Sequence, residues 1–375
     1  MPIDNNLVPA YTPTPGEILK MELDARGWTQ GEFAEIISKP QQAVSQIING
    51  KKQITPETAL RISRALDTSP ELWNNLEAEH QLALARQSVA ENEMNAIEVR
   101  SRLHELAPVR ELERRGWIPT TDTLPELEKA VCTFLHISSI HETPTLRAKL
   151  RQSERLTPEA AAQIAWVRRV EWLVQQAAPL PKEPLDTKHL VTELLDLTAR
   201  AEDVAKVPAV LQRHGIQFVI VPPLPRAYVD GATFVMAGQR VIALSLRNKR
   251  IDSFWFTLLH EVAHIALGHD DFQLDIELEE DGADEHERAA NQQAREWLIP
   301  AANYTEFLRL GKDKIYRDKA EAFAATIGRH PGIVAGRLKH DAIWEWRWHR
   351  ALQVDVDGYL GEWVDRPVYQ LSPAT

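Results

Sequence analysis

The sequence has little cysteine and no long apolar run. Cys132 is the only cysteine among 375 residues, which excludes an internal disulfide and suits a reducing compartment. No apolar run reaches the roughly 20 residues of a transmembrane helix. Residues 1–15 are polar and proline-rich, without the basic start and apolar core of a signal peptide. We therefore predict a soluble, cytoplasmic protein that does not enter a membrane.

The chain also lacks an excess of positive charge. Its 43 Lys and Arg residues and 54 Asp and Glu residues give a net charge of −11, which argues against a protein that coats nucleic acid along its length. One local binding face remains compatible with this charge, because no acidic residue occurs between Ser38 and Thr55. The length allows two or three domains with cores of their own.

One chemical motif stands out, His260-Glu261-Val262-Ala263-His264. Apolar residues recur at helical spacing between Asp252 and Gly268, which predicts an amphipathic helix. The two histidines lie one turn apart on the same face of this helix, and two imidazoles placed in this way can bind one zinc ion. Glu261 is placed to take a proton from a water molecule on the metal, as in metal-assisted peptide hydrolysis.

A catalytic zinc site needs a third protein ligand and an open position. Glu287 can supply this ligand from a second predicted helix that ends before Pro300, and Glu285 and His286 are nearby alternatives. His269 is at the wrong spacing for the third histidine of a metzincin. We interpret it instead as a histidine at the C-terminal end of the zinc helix.

These residues together resemble a known peptidase family. His260-Glu261-x-x-His264, Glu287-x-x-Ala290-Asn291 and Trp297-Leu298-Ile299-Pro300 are similar to the motifs of the ImmA/IrrE metallo-endopeptidases. The resemblance covers about residues 200–345. It implies that Glu287 is the third metal ligand and that Glu261 is the general base. The implied cofactor is Zn²⁺, with Mn²⁺ as the alternative.

The N-terminal part predicts a helix-turn-helix. Thr14 and Thr29 are predicted N-caps of the first two of five short helices, and a tight turn at 38–40 joins the second helix to the third. The third helix offers amide and hydroxyl side chains to base edges and phosphates. The predicted DNA-binding residues are Lys39, Gln41, Gln42, Ser45, Gln46, Asn49, Lys51 and Lys52.

The competing interpretation of this region is a small helical bundle without a DNA-binding role. It is favoured by charge, because residues 1–85 carry 7 basic and 11 acidic residues, a net charge of −4. The motifs favour DNA binding, since Pro15-Gly16-Glu17, Asn49-Gly50-Lys51-Lys52 and Ser69-Pro70-Glu71-Leu72-Trp73 resemble HigA-type antitoxins of the XRE helix-turn-helix class. The resemblance covers about residues 12–82. It implies a homodimer on a palindromic operator and a RelE-like toxin as partner.

The predicted fold is mainly α with a small β-sheet (α+β), comprising a helix-turn-helix bundle, a helical middle region and a zincin-like metallopeptidase domain. The predicted divisions are a flexible tail at 1–14, a DNA-binding domain at 15–82, a helical connecting region at 83–185, a metallopeptidase domain at 186–350 and a C-terminal tail, predicted to be disordered, at 351–375. One predicted strand, at 241–246, is our candidate for a sheet edge that holds an extended substrate by backbone pairing.

Two functions follow from these predictions. The first is a DNA-binding transcriptional regulator whose zinc-dependent endopeptidase domain cleaves a helix-turn-helix repressor, or its own chain, to relieve repression. The alternative is a DNA-binding antitoxin that neutralises a RelE-like toxin. In that case the metallopeptidase half is an inactive sensor or scaffold.

Overall fold

A computed structural model describes residues 13–88, 91–145, 156–181, 184–269, 273–276, 285–311 and 314–366. Most of the predicted tail at 1–14 lies outside this range. The chain divides into two compact units, Met1–Glu98 and Val99–Thr375. The predicted fold class is confirmed, because the structure is mainly helical with a small sheet. Among the described residues, no helix is both long and apolar enough to cross a membrane.

The helices are α1 (Pro15–Arg26), α2 (Gln30–Ile36), α3 (Gln41–Ile48), α4 (Pro56–Leu66), α5 (Pro70–Ser88), α6 (Glu91–Leu106), α7 (Val109–Arg114), α8 (Leu124–Leu135), α9 (Pro158–Gln176), α10 (Thr187–Asp196), α11 (Val207–Arg213), α12 (Ile251–Ala266), α13 (Glu285–Leu298), α14 (Ala301–Leu308), α15 (Arg317–Thr326), α16 (Pro331–His340) and α17 (Asp357–Leu360). The strands are β1 (Ile216–Ile220), β2 (Val229–Met236), β3 (Gln239–Leu244) and β4 (Gln273–Ile276). Short 3-10 helices lie at Leu197–Ala199, Ala201–Lys206, Arg350–Leu352 and Gly361–Trp363.

Helix starts in the N-terminal unit are set by threonine caps. The Thr14 hydroxyl accepts a hydrogen bond from the Glu17 amide (3.1 Å), and the Glu17 carboxylate accepts one from the Thr14 amide (2.7 Å). Thr29 and Glu32 form the same reciprocal capping box at the start of α2. Both caps satisfy backbone N–H groups that the first helical turn leaves without partners. The N-caps predicted at Thr14 and Thr29 are thus confirmed.

The apolar core of the N-terminal unit holds the inner side of α3 in place. Phe33, Val44 and Trp73 are almost fully buried in one apolar cluster. Gly16, on α1, lies against the C-terminal end of α3, where an added Cβ would overlap the carbonyl oxygen of Ile47. Because only glycine fits this contact, α1 and α3 approach at backbone distance. Helix α3 is therefore held by the bundle along its inner side and at its C-terminal end.

The C-terminal unit contains a four-stranded sheet with the order β1-β3-β2-β4. β3 pairs with β1 in parallel and with β2 as an antiparallel hairpin, and β4 adds to the other side of β2. The hypothesis that residues 241–246 form a substrate-binding edge is therefore wrong. The hairpin inserts β3 between β1 and β2, so both of its backbone edges are already used.

Both faces of the sheet are covered by helices. Alternate residues of β1 and β3 point to opposite faces, so that Ile242 belongs to the core with α12 and α16, while Val241 belongs to a second core with α7, α8 and α9. α9 is fixed by hydrogen bonds from Trp166 Nε1 to the Val221 carbonyl (2.7 Å) and from Gln163 Nε2 to the Ala227 carbonyl (3.0 Å). The middle helices thus form a layer on the sheet, and the domain limits at 82 and 185 stay predictions.

The prediction of a disordered C-terminal tail from residue 351 is wrong as far as residue 366. Leu352, Val356 and Leu360 are buried in the apolar core that contains α12. The Asp365 amide donates a hydrogen bond to the Ile220 carbonyl (2.7 Å) at the free edge of β1. Burial of these apolar side chains stabilises the segment, although polar residues separate them in the sequence. Residues 367–375 lie outside the described range.

Candidate metal centre and nucleic-acid interface

Helix α12 carries the His260–His264 motif into the interior of the C-terminal unit. The helix contacts β2 on one side and α13 and α16 on others. His260, Glu261 and His264 are each no more than 1% exposed. Buried polar groups of this kind are costly unless they are paired, so their partners decide what the site can do. α13 approaches this helix with small buried residues, Ala290 and Ala294, and brings Glu287 to the two histidines.

The side chains of His260, His264 and Glu287 converge on one point and are called the His260–Glu287 cluster below. His260 Nε2 lies 3.0 Å from His264 Nε2 and 3.1 Å from Glu287 Oε2, and His264 Nε2 lies 3.4 Å from Glu287 Oε1. A tetrahedral zinc ion with bonds of about 2.0–2.1 Å separates its ligand atoms by roughly 3.3 Å. The spacing and the donor types, two imidazoles and one carboxylate, therefore fit a divalent cation. Of the residues that the sequence offered for the third position, the structure brings Glu287 to the histidines, and Glu285 is exposed.

The protonation state of Glu287 suits this role. Burial alone would raise the pKa of its carboxyl group, but hydrogen bonds with His260 and His264 outweigh burial and lower the pKa to about 2. The carboxylate is therefore ionised at neutral pH. A negatively charged oxygen beside two imidazoles is the state in which these groups bind a metal ion.

Each histidine is also held at its other ring nitrogen. His260 Nδ1 lies 3.1 Å from Asn291 Oδ1, and His264 Nδ1 lies 2.9 Å from His269 Nδ1. When Nε2 of each histidine binds a metal ion, Nδ1 carries the proton and donates a hydrogen bond to these partners. The interpretation of His269 as a helix-terminal residue left out this ring contact. Gly268, which adopts a left-handed conformation (φ 72°) and turns the chain so that the His269 amide bonds to the His264 carbonyl, was the signal that could have indicated it.

Glu261 is fixed from the sheet. Its Oε2 atom accepts a hydrogen bond from the Thr233 hydroxyl (2.6 Å). Gly231, two residues earlier on the same face of β2, lies so close that an added Cβ would overlap Glu261 Oε1. Sequence reasoning missed both residues, because they are about 30 positions away and belong to a strand without a motif. The contacts hold the carboxylate in one position against β2, one residue after the ligand candidate His260.

In the N-terminal unit, α2 and α3 are joined by a turn in which Ser38 adopts a left-handed conformation (φ 52°). The predicted DNA-binding residues are exposed or half-buried. Three of them already have partners within the protein. Lys39 Nζ is 3.1 Å from Glu57 Oε1, and Asn49 Nδ2 donates to the Ser45 carbonyl (2.7 Å) and to the Ser45 hydroxyl (3.3 Å). The surface is therefore polar and accessible, with part of its hydrogen-bonding capacity used internally.

Comparison with known proteins identifies one segment near each end of the chain. The Helix-turn-helix family profile matches residues 19–73, and the profile of the IrrE N-terminal-like domain, a peptidase family, matches residues 211–339. The HTH-type transcriptional regulator YddM of Escherichia coli K12 is 34% identical over 80 residues, which are 21% of this chain and 85% of the relative. The chain belongs to the helix-turn-helix transcriptional regulators.

Two further similarities concern the same part of the regulator. Virulence-associated protein A' of Dichelobacter nodosus is 35% identical over 80 residues, 21% of this chain and 70% of that protein. A solved structure of an addiction module antidote protein of the HigA family from Coxiella burnetii is 31% identical and covers 21% of this chain and 95% of that chain, with a TM-score of 0.19. The second domain of the regulator contains the His260–Glu287 cluster, and its peptidase family implies a metal ion.

Proposed function

We propose that this regulator binds operator DNA through α3 and that its C-terminal domain is a zinc-dependent endopeptidase. In this proposal, cleavage of a helix-turn-helix repressor, or of the regulator's own chain, relieves repression. The observation that carries the enzymatic part is the convergence of two imidazoles and one carboxylate within 3.0–3.4 Å, with Glu261 held beside them. A purely structural cluster gives no reason for a second, separately positioned carboxylate.

Each residue of the site has its own role in the proposed reaction. His260, His264 and Glu287 hold the cation, with Zn²⁺ favoured over Mn²⁺ because imidazole ligands suit zinc. When bound, zinc acts as a Lewis acid and makes water a nucleophile near neutral pH. Glu261 accepts the proton of the attacking water and passes it to the leaving amine. Thr233 keeps the Glu261 carboxylate in the orientation in which it can do this.

The DNA-binding part rests on the exposed face of α3. Gln42 and Ser45 offer hydrogen-bonding groups of the kinds that contact base edges and phosphates, and Lys51 and Lys52 follow at the end of the helix, where they can reach the backbone. All four are exposed or half-buried. The regulator acts as a homodimer in this proposal, with one α3 helix in each half of a palindromic operator.

The decisive test replaces Glu261 by Gln, which keeps the size and polarity of the side chain but cannot accept a proton. Zinc-loaded wild type and Glu261→Gln are incubated alone and with a library of peptides derived from helix-turn-helix repressors. New termini are then identified by mass spectrometry. We expect cleavage by wild type and a loss of at least about 100-fold in the variant, the size of effect that removing a general base produces.

The control is the metal content of the same two preparations. We expect Glu261→Gln to bind as much zinc as wild type, because Glu261 is not among the proposed ligands. Equal cleavage by both proteins would show that Glu261 is not the base. Bound zinc without any cleavage of the regulator or the library by wild type would contradict the endopeptidase proposal and favour a sensor or scaffold.

A further inference from the structure

A second group of metal-ligating side chains lies on α10 and at the end of α11. His189 and Glu193 are one helical turn apart on α10, and His214 directly follows α11. One ligand atom from each of the three residues lies within 4.8 Å of the others. None of these residues takes part in the His260–Glu287 cluster or in any motif that the sequence suggested. The donor set is nevertheless the same, with two imidazoles and one carboxylate.

The geometry directs both imidazoles to one oxygen atom. His189 Nε2 lies 2.9 Å from Glu193 Oε1, and His214 Nε2 lies 3.7 Å from the same atom. The other carboxylate oxygen, Oε2, accepts a hydrogen bond from Arg213 Nη2 at 2.7 Å. The two oxygens of Glu193 therefore serve different partners. Arg213 orients the carboxylate, and Oε1 faces the two rings.

We propose that His189, Glu193 and His214 form a second divalent-cation site that accepts Zn²⁺ or another imidazole-binding transition metal. The distances from the two imidazoles to Glu193 Oε1, 2.9 Å and 3.7 Å, bracket the roughly 3.3 Å expected around a tetrahedral ion, and the third distance is at most 4.8 Å. The side chain of His214 is 12% exposed and that of Glu193 is 27% exposed, whereas that of His189 is 62% exposed. Solvent therefore reaches the site from the side of His189 and completes the coordination.

This site binds more weakly than the His260–Glu287 cluster. The exposed His189 ring must be ordered when the metal binds, and the guanidinium group of Arg213 repels a cation and competes for Glu193. An ion there would link α10 to the junction of α11 and β1, which are separated by about 20 residues of chain. Its binding should therefore stabilise this side of the unit, since a ligand that binds only the folded state raises its stability.

The experiment is a titration of the full-length, metal-free regulator with buffered Zn²⁺, followed by metal analysis and thermal unfolding. We expect two zinc ions per chain in wild type, one in His260→Ala, one in His214→Gln and none in the double variant. His141→Gln, which removes an exposed histidine elsewhere, serves as the matched control and should keep both ions. In the His260→Ala background, Zn²⁺ should raise the Tm only while His214 is present.

Arg213→Gln tests the site without removing a ligand. If Glu193 serves as a ligand, loss of the competing charge should tighten the weaker zinc site by roughly tenfold, the size of effect expected from removing a like charge a few ångströms away near a protein surface. A wild type that binds one zinc ion, lost in His260→Ala and unaffected by His214→Gln, would overturn the second site. Failure of the endopeptidase proposal would instead appear in peptide cleavage, either as none by wild type or as equal cleavage by wild type and Glu261→Gln. Neither result depends on His214, so the two failures can be distinguished.

Discussion

The buried metal centre and the exposed face of α3 hold their polar side chains in opposite ways. At the metal centre, each ligand histidine has a partner at its second ring nitrogen, and Glu261 is fixed by Thr233. On α3, Gln42 is exposed and Ser45 is half-buried, while Lys39 and Asn49, which flank the helix, form contacts within the protein. A metal ion requires ligands within tenths of an ångström. A DNA surface can instead rearrange its long side chains when the partner arrives.

The largest effect is expected from the third ligand. Glu287→Gln should weaken zinc binding by more than about 100-fold, because a ligating carboxylate contributes more than an outer partner does. Glu285→Gln is the matched control, since it removes the same charge from an exposed position of the same helix. Zinc affinity is measured by competition with a chromophoric chelator.

Equal zinc affinity in Glu287→Gln and wild type would show that the Glu287 carboxylate is not a metal ligand. The order of the buried site would then not reflect the needs of a three-residue ligand set. Loss of zinc in Glu285→Gln but not in Glu287→Gln would place the ligand at Glu285, the alternative that the sequence left open.

Asn291→Ala and His269→Ala test the partners of the ligand histidines. Each change should weaken zinc binding by about 10- to 100-fold, the range for groups that orient metal-ligating histidines. Circular dichroism and thermal unfolding check that the fold is kept. His286→Ala is the control for His269→Ala. The His286 ring stacks on His269, with ring centroids 4.0 Å apart, but His286 is not a member of the His260–Glu287 cluster. Unchanged zinc affinity in both Asn291→Ala and His269→Ala would show that His260 and His264 bind zinc without partners at Nδ1.

Local patterns predicted those parts of the fold that depend on neighbours in sequence. Threonine caps indicated the starts of α1 and α2, and the four-residue spacing of His260 and His264 placed them on one helix face. The contacts of Thr233 with Glu261 could not be predicted in this way, because they depend on how β2 packs against α12. The same reason explains the misplaced sheet edge, since periodicity identifies a strand but does not determine its neighbours.

Local patterns also could not predict which side chains contact DNA. The helix-turn-helix is recognisable because its turn and its buried positions are local, but the direct contacts depend on the operator. Gln42→Ala combined with Ser45→Ala should weaken specific binding by roughly 1–3 kcal/mol, as lost base contacts do. Asn75→Ala, an exposed amide on α5, is the control.

Fluorescence anisotropy with operator and scrambled DNA separates specific from electrostatic binding. Unchanged operator affinity in the double variant would mean that α3 does not read the bases. An equal loss on both DNAs would assign these side chains to the DNA backbone.

The smallest effect is expected for the ion pair between Lys39 and Glu57, which lies beside the proposed DNA-binding surface. A hydrogen bond from Lys39 and the attraction of its charge, with a further contribution from Arg61, lower the pKa of Glu57, so the ion pair persists at neutral pH. Glu57→Gln should release Lys39 for phosphate contact and tighten DNA binding by about two- to threefold, with a steeper salt dependence. Glu35→Gln removes the same charge from an exposed position of α2 without breaking this pair. Equal gains in both variants would reflect net charge alone, whereas a gain confined to Glu57→Gln would show that the free protein keeps Lys39 away from DNA.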